Sequence, residues 1–328
     1  LVGSEMCIRD RLKDYLSSTG IKKIICTYDK IDKLMEFINP KDFKLTIDEY
    51  HNFLKQYSFR DKAINGVLAH FKEFKSYCFL SATPIPNNLK PAIFNDITEY
   101  MADWNTTDEI TVYPYHTNTP YMVAAKFIKT YQAKGCLNVN GIESKEAYFF
   151  INSVTEIKAI LKQTQLTEDD YRIICADNPK NRKTLEGYTI SSSADAPKKF
   201  NFITSKSFEG VDFHSETGLC FVVSNVQNRH TLVSIDMDIP QIVGRIRTKS
   251  NPFRNKVVHI FNTKATDHYT TFEDMKLIVD EEVKAAQERA DMLNNAKLSE
   301  AAIKQQVNEI KKVGVESCLL YTSPSPRD

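Results

Sequence analysis

Short apolar runs rich in Ile, Val, Phe and Tyr recur along this chain, at 21–28, 43–48, 77–83, 147–152, 171–176, 200–204, 219–224 and 256–261. Between them lie longer stretches that are polar or carry helical spacing. A strand apolar at every position is buried on both faces, the pattern of a parallel sheet covered by helices. Strand, helix, strand alternation therefore predicts an α/β fold.

At 328 residues, the chain is long enough that two cores are the expected solution, because one core rarely grows beyond roughly 250–300 residues. The Pro-rich SATPIPNNLKP stretch after the run at 77–83 marks the break. The expected division is a first α/β domain at 12–100, a linker at 101–140, a second α/β domain at 141–265 and a helical extension at 266–317. The linker region holds one edge strand in EITVYPYHT and a helix at 121–134, and its single tryptophan, Trp104, reads as an anchor. From 271 to 313 apolar residues recur every three to four positions among Glu, Lys, Ala and Gln, as on a long amphipathic helix. The two ends, 1–11 (LVGSEMCIRD and the next residue) and 318–328 (CLLYTSPSPRD), resemble translated, mutually inverted copies of a sequencing adapter and are set apart from fold reasoning.

Charge is nearly balanced, 43 Lys+Arg against 42 Asp+Glu. That excludes a uniformly basic nucleic-acid coat and an acidic disordered tail, and leaves room for a local basic groove. No apolar run reaches the roughly 18 residues of a membrane span. The seven cysteines contain no CxxC pair, so a reduced, metal-free interior and a cytoplasmic setting are expected.

The most informative stretch is FKLTIDEYHNF, in which an apolar strand runs into Asp48, Glu49, Tyr50 and His51. Acids at the carboxyl end of a buried strand stand where α/β sheets bind ligands. In a phosphate-hydrolysing site Asp48 would hold Mg²⁺ through its water shell, and Glu49 would orient or deprotonate the attacking water. The plainer alternative is a solvated turn or helix cap. A second strand ends in Ser81, Ala82 and Thr83, whose hydroxyls can bond the acidic loop; an ST turn before a proline is the alternative. Further on, Ser205, Ser207, Gly210 and Asp212 lie in FITSKSFEGVDF, a small-residue loop after a strand, and Gln241 and Arg245 stand four apart in QIVGRIR, on one face if that segment is helical.

DEYH followed by SATP resembles motifs II and III of superfamily 2 DExH-type helicases, ATPases built from two RecA-like domains. AYFFINSV at 147–154 resembles motif IV, FITSKSFEGVDF motif V and QIVGRIR motif VI, all in the family's order. Within the superfamily the wording is most similar to phage or plasmid replication helicases and herpesvirus origin-binding helicases, then to type III restriction motor subunits. The resemblance implies two RecA-like domains with parallel sheets, the first incomplete, and ATP and Mg²⁺ as cofactors. It implies Asp48, Glu49 and His51 on one wall of an ATP cleft, with Gly210, Asp212, Gln241 and Arg245 on the other. Asp212 would reach the ribose, Gln241 the attacking water, and Arg245 or Arg247 the transferred phosphoryl. His51, Ser81, Ala82 and Thr83 would couple the cleft to a strand of nucleic acid, DNA ahead of RNA. Thr27, Tyr28, Ser153, Ser205 and Ser207 would meet its backbone. Read on their own, Lys206, Arg229, Lys249 and Arg254 line either a basic track or an ordinary solvated face.

No GxxxxGK[ST] occurs in the sequence. The resemblance puts that phosphate loop upstream of residue 21, so the chain as given is expected not to hydrolyse ATP, whereas the parent product is. The alternatives are a nucleic-acid-binding scaffold or origin-recognition module without ATPase activity, and the motor part of a restriction nuclease.

Overall fold

The computed structural model describes residues 5–263, apart from 86, 88–89, 103–108 and 209, together with a scatter of positions between 271 and 288. The expected anchor Trp104, the Glu209 of the motif V stretch, most of the extension at 266–317 and the segment 318–328 lie outside the described residues. The chain forms two compact units. The first holds the described residues up to Lys90 and those after 270, and the second begins at Pro91.

In the first unit α1 (Glu5–Ser17) crosses the boundary expected at residue 11, and is followed by α2 (Ile31–Met35). Strands β1 (Lys44–Ile47) and β2 (Ser76–Phe79) pair in parallel, with Lys44 opposite Ser76 and Ile47 opposite Phe79. The crossover that a parallel pair requires is made by α3 (Asn52–Lys55) and α4 (Tyr57–His70). Ile47, Phe53, Ile64, Val67 and Phe71 are buried beneath it. The Phe71 ring meets Tyr77 and Phe79 edge-on at 4.7 and 5.3 Å, a favoured geometry for aromatic pairs. Gly66 lets α4 pass close to α2, since a Cβ there would stand 2.6 Å from Asp32 Oδ1.

One expectation fails in this unit. The run 21–28 forms no strand; it is irregular until a 3₁₀ turn at Tyr28–Lys30, with Ile21 and Ile25 exposed. An apolar run becomes a strand only with a hydrogen-bonding neighbour, and among the described residues the sheet of this unit has β1 and β2 alone.

The second unit is built on a six-stranded sheet in the order β3-β10-β9-β6-β8-β7, with every neighbouring pair parallel. Its strands are β3 (Thr111–His116), β6 (Glu146–Phe150), β7 (Tyr171–Ile174), β8 (Phe200–Ile203), β9 (Gly218–Val223) and β10 (Lys256–Phe261), and β4 (Leu137–Val139) and β5 (Ile142–Ser144) form a separate hairpin. Helix α5 (Pro120–Lys134) starts with Pro at its first position and stops at Gly135 with φ +78°, the usual asymmetry of helix ends. α6 (Val154–Thr164), α7 (Pro179–Thr184) and α8 (Asp238–Val243) complete the unit. The stretch 101–140, expected to be a linker, thus supplies an edge strand and a packed helix to the sheet.

Alternation along the strands divides the interior into two cores. Phe149, Phe202, Phe221 and Ile260 face one way, against Val123 and Ile128 of α5 and Ile157 and Leu161 of α6. Tyr148, Phe150, Ile203, Val222 and Val257 face the other, against Ile239 and Ile242 of α8 and against Phe208, Phe213 and Ile246. The chain around Phe208 and Phe213 and the chain around Ile242 and Ile246 therefore pack on one face of the same sheet. Beyond this unit, Thr271 and Asp274 cap each other, Asp274 Oδ2 accepting from the Thr271 amide at 2.9 Å and Thr271 Oγ1 from the Asp274 amide at 3.1 Å. The described positions from 273 to 288 are helical.

Candidate functional site

In the first unit the chain leaves β1 at Ile47 and turns through the acid pair. Asp48 is exposed, and its Oδ1 accepts from the Glu49 amide at 3.1 Å. Glu49 has φ +52°, a left-handed backbone that costs a residue with a Cβ on the order of 1–3 kcal/mol. That turn brings Glu49 Oε2 to 3.2 Å from Nδ1 of His51, whose side chain is fully buried. The same His51 nitrogen lies 2.7 Å from Ser81 Oγ, and Ser81 Oγ also accepts from the Thr83 amide at 3.0 Å. The β1–β2 ladder continues into these loops: the Leu80 amide donates to Ile47 O at 2.8 Å and the Tyr50 amide to Leu80 O at 3.1 Å. Glu49, His51, Ser81 and Thr83 thus form one linked group, while Ala82 is exposed beside it. Tyr28 donates its hydroxyl to the Asp48 carbonyl and packs on Phe53 at 5.3 Å. Thr27 is exposed and its side chain caps nothing.

In the second unit the loop after β8 and the segment after α8 are joined by backbone. The Phe213 amide donates to Arg245 O at 2.8 Å and the Arg247 amide to Phe213 O at 2.9 Å, a parallel bridge between Phe213 and Ile246. Arg245 lies just past the end of α8, where sequence spacing placed it on the helix with Gln241. The two still meet: Arg245 Nε donates to Gln241 O at 2.8 Å, and Nη2 to Gln241 Oε1 at 3.2 Å. Such a bond satisfies a carbonyl the helix end would leave without an intrahelical partner. Asp212 Oδ1 accepts from Arg247 Nε at 2.8 Å and lies 4.0 Å from Arg245 Nη1. The Arg245 side chain is 9% exposed and that of Arg247 47%. Gly210, at φ +71°, makes the turn that delivers Asp212.

Beneath this cluster sits a residue that sequence reading missed. Arg172, on β7, is 2% exposed; its Nε donates to Asn201 Oδ1 at 2.6 Å, Nη1 to Asp195 O, and its guanidinium covers the Phe213 ring at 5.3 Å. Burial pulls its pKa below the ordinary arginine value, with Tyr148, Asp195 and Glu146 acting the other way.

The carboxyl ends of β6, β7, β8 and β9 open on a cavity of about 530 Å³ in the same unit. Ser153 and Ser205 line it, and Ser153 also caps α6, accepting from the Glu156 amide at 3.4 Å. Ser207 is buried and does not line it. Of the expected basic track, Lys206 lines the cavity, whereas Arg229, Lys249 and Arg254 do not. Lys180, Asn181, Asn228 and His230 also line it. They come from α7 and from the loop after β9, outside every motif that the sequence reading used.

No family model matches the chain, and no curated protein matches it. Among solved structures, the crystal structure of a DEAD box protein from the hyperthermophile Methanococcus jannaschii is similar at 15% sequence identity and a TM-score of 0.27, over 77% of this chain and 61% of that one. The fold assignment rests on the strand order and cores described above.

Proposed function

We propose that this chain carries the acid and arginine elements of an ATP-driven nucleic-acid motor, a DExH-type helicase or translocase acting on DNA ahead of RNA. The observation that carries the reading is the gathering of Asp212, Gln241, Arg245 and Arg247 around the Phe213–Ile246 bridge. Two segments far apart in sequence are fixed so that two guanidiniums, an amide and an acid meet at one place. Guanidiniums held in advance stabilise charge on a transferred phosphoryl without reorganising at the moment of reaction.

The donor set of the first unit fits Mg²⁺. Asp48 is a single exposed carboxylate, and among the described residues no three His, Cys, Asp or Glu side chains gather into a metal-holding group. Mg²⁺ needs no protein cage, because it keeps several waters and takes further ligands from substrate phosphates. Bound with ATP, it would supply charge neutralisation at those phosphates. Asp48 would hold its water shell. Glu49 would orient or deprotonate an attacking water, and its reach to His51 and on to Ser81 links that carboxylate to the loop after β2. In the second unit, Gln241 would position a water, Arg245 would meet developing charge on a phosphoryl, and Asp212 and Gly210 would approach a nucleotide's ribose. Thr27, Tyr28, Ser153 and Ser205 contact the strand.

The test is ATP hydrolysis by the gene product containing these residues, measured alone and with single-stranded DNA, duplex DNA and RNA. Turnover should rise with single-stranded DNA. Turnover indifferent to all three nucleic acids overturns the proposal.

A further inference from the structure

One row across the sheet of the second unit places a charge in the core. Arg172, Asn201, Tyr148 and Cys220 stand in register on β7, β8, β6 and β9, on the face that packs against Phe213 and Ile246. The buried Arg172 guanidinium meets an amide oxygen, a backbone carbonyl and an aromatic ring, none of them a carboxylate. Taking a cation out of water without a counter-charge is costly, and an apolar side chain of similar volume would fill the same place without that cost.

Neither hydrogen-bond partner depends on Arg172. Asn201 Oδ1 also accepts from the Lys198 amide at 3.1 Å, and Asn201 Nδ2 donates to Lys198 O at 2.6 Å. The loop that bears Asp195 is closed by its own bond, Asp195 Oδ2 accepting from the Ser192 amide at 2.7 Å. What a cation alone supplies is attraction to the face of the Phe213 ring, 5.3 Å away. Tyr148 packs on the same ring, with centroids 5.3 Å apart. Tyr148 is itself lodged against Gly218, where a Cβ would stand 2.6 Å from its Cε2. Phe213 supplies the amide and the carbonyl that bridge to Arg245 and Arg247, and it follows Asp212, which accepts from Arg247 Nε. A ring locked by its packing fixes the backbone on which both guanidiniums are hung.

We infer that Arg172 is a positioning residue: its guanidinium holds the Phe213 ring and, through the Phe213 backbone, sets Arg245 and Arg247 for a phosphoryl group. The inference rests on the motor reading for what the two arginines do, and not for how they are held. Amide hydrogen exchange on the full chain tests the holding. Arg172→Gln keeps a donor for Asn201 and removes the cation, Arg172→Lys keeps a cation, and Phe213→Leu removes the aromatic face. In Arg172→Gln and in Phe213→Leu the Phe213 and Arg247 amides should exchange about 5- to 30-fold faster than in the parent, the range of a desolvated cation–π contact. The Ser224 amide, bonded to Ile260 O at 2.9 Å in the same unit, should keep its parent rate. Arg172→Lys should recover most of the protection, and the double variant Arg172→Gln/Phe213→Leu should exchange no faster than the faster single one. In the gene product containing these residues, Arg172→Gln should lower kcat for ATP hydrolysis by a similar factor and change KM for ATP by less than about twofold.

Unchanged exchange at the bridge, equal acceleration of the bridge and Ser224 amides, or effects of the two substitutions that simply multiply overturn the inference. So does Arg172→Lys exposing the bridge as much as Arg172→Gln, or an unchanged kcat in an active variant whose bridge has lost protection. If Arg172→Gln does not fold, Arg172→Lys and Phe213→Leu carry the same comparison. If the exchange results hold while the parent gene product hydrolyses no ATP, the holding of Arg245 and Arg247 by Arg172 stands and the motor falls.

Discussion

Glu49 shows what single residues contribute here. Its left-handed backbone is costly for a side-chain-bearing residue, and the conformation sets its carboxylate against a buried imidazole. Gly210 meets the same backbone demand without cost. Nothing lies within 4 Å of where its Cβ would be, so Gly210→Ala tests the backbone alone. That substitution should cost roughly 1–2 kcal/mol in urea unfolding; an unchanged midpoint would show that the loop relaxes freely. The acid pair and Ser81 could be picked out in the sequence because each follows an apolar strand; the four-residue spacing of Gln241 and Arg245 predicted a shared helix face, whereas Arg245 lies past the helix end and meets Gln241 by folding back on it. Arg172 was not. A lone arginine inside a strand reads as a surface residue, and its burial depends on Asn201 and Phe213, which only the fold brings to it.

At the level of elements, the strands of the second unit were legible because they are apolar at nearly every position, as burial on both faces demands. The run at 21–28 carries the same signature and forms no strand, because composition reports what a segment would bury and not whether a neighbour is there to pair with it. The cavity wall was illegible for a related reason: its residues come from loops after different strands, and no window of sequence contains them together. Strand β10 carries a pH-sensitive element. His259 lies 3.1 Å from Ser224 Oγ and stacks on Phe261, and burial lowers its pKa. The unfolded chain therefore takes up the proton first. Stability from the neutral ring is complete above about pH 6.5 and is lost as pH falls toward the lower folded value. Urea midpoints should decline over that interval in the parent and less steeply in His259→Gln. Equal slopes would remove His259 as the cause.

For the whole molecule, a net charge of +1 hides a division of labour. The first unit gathers Asp48, Glu49 and His51 around the end of one strand pair. The second gathers guanidiniums at a backbone bridge and cations along a cavity. The central claim is that Glu49 and Arg245 each serve ATP hydrolysis. Single-turnover hydrolysis by the gene product containing these residues, in the presence of single-stranded DNA, tests this most directly, with Glu49→Gln and Arg245→Lys each compared with the parent. Each substitution should slow the step by about 10²-fold or more while leaving the protein folded like the parent. Turnover left intact by Glu49→Gln or by Arg245→Lys would contradict the account.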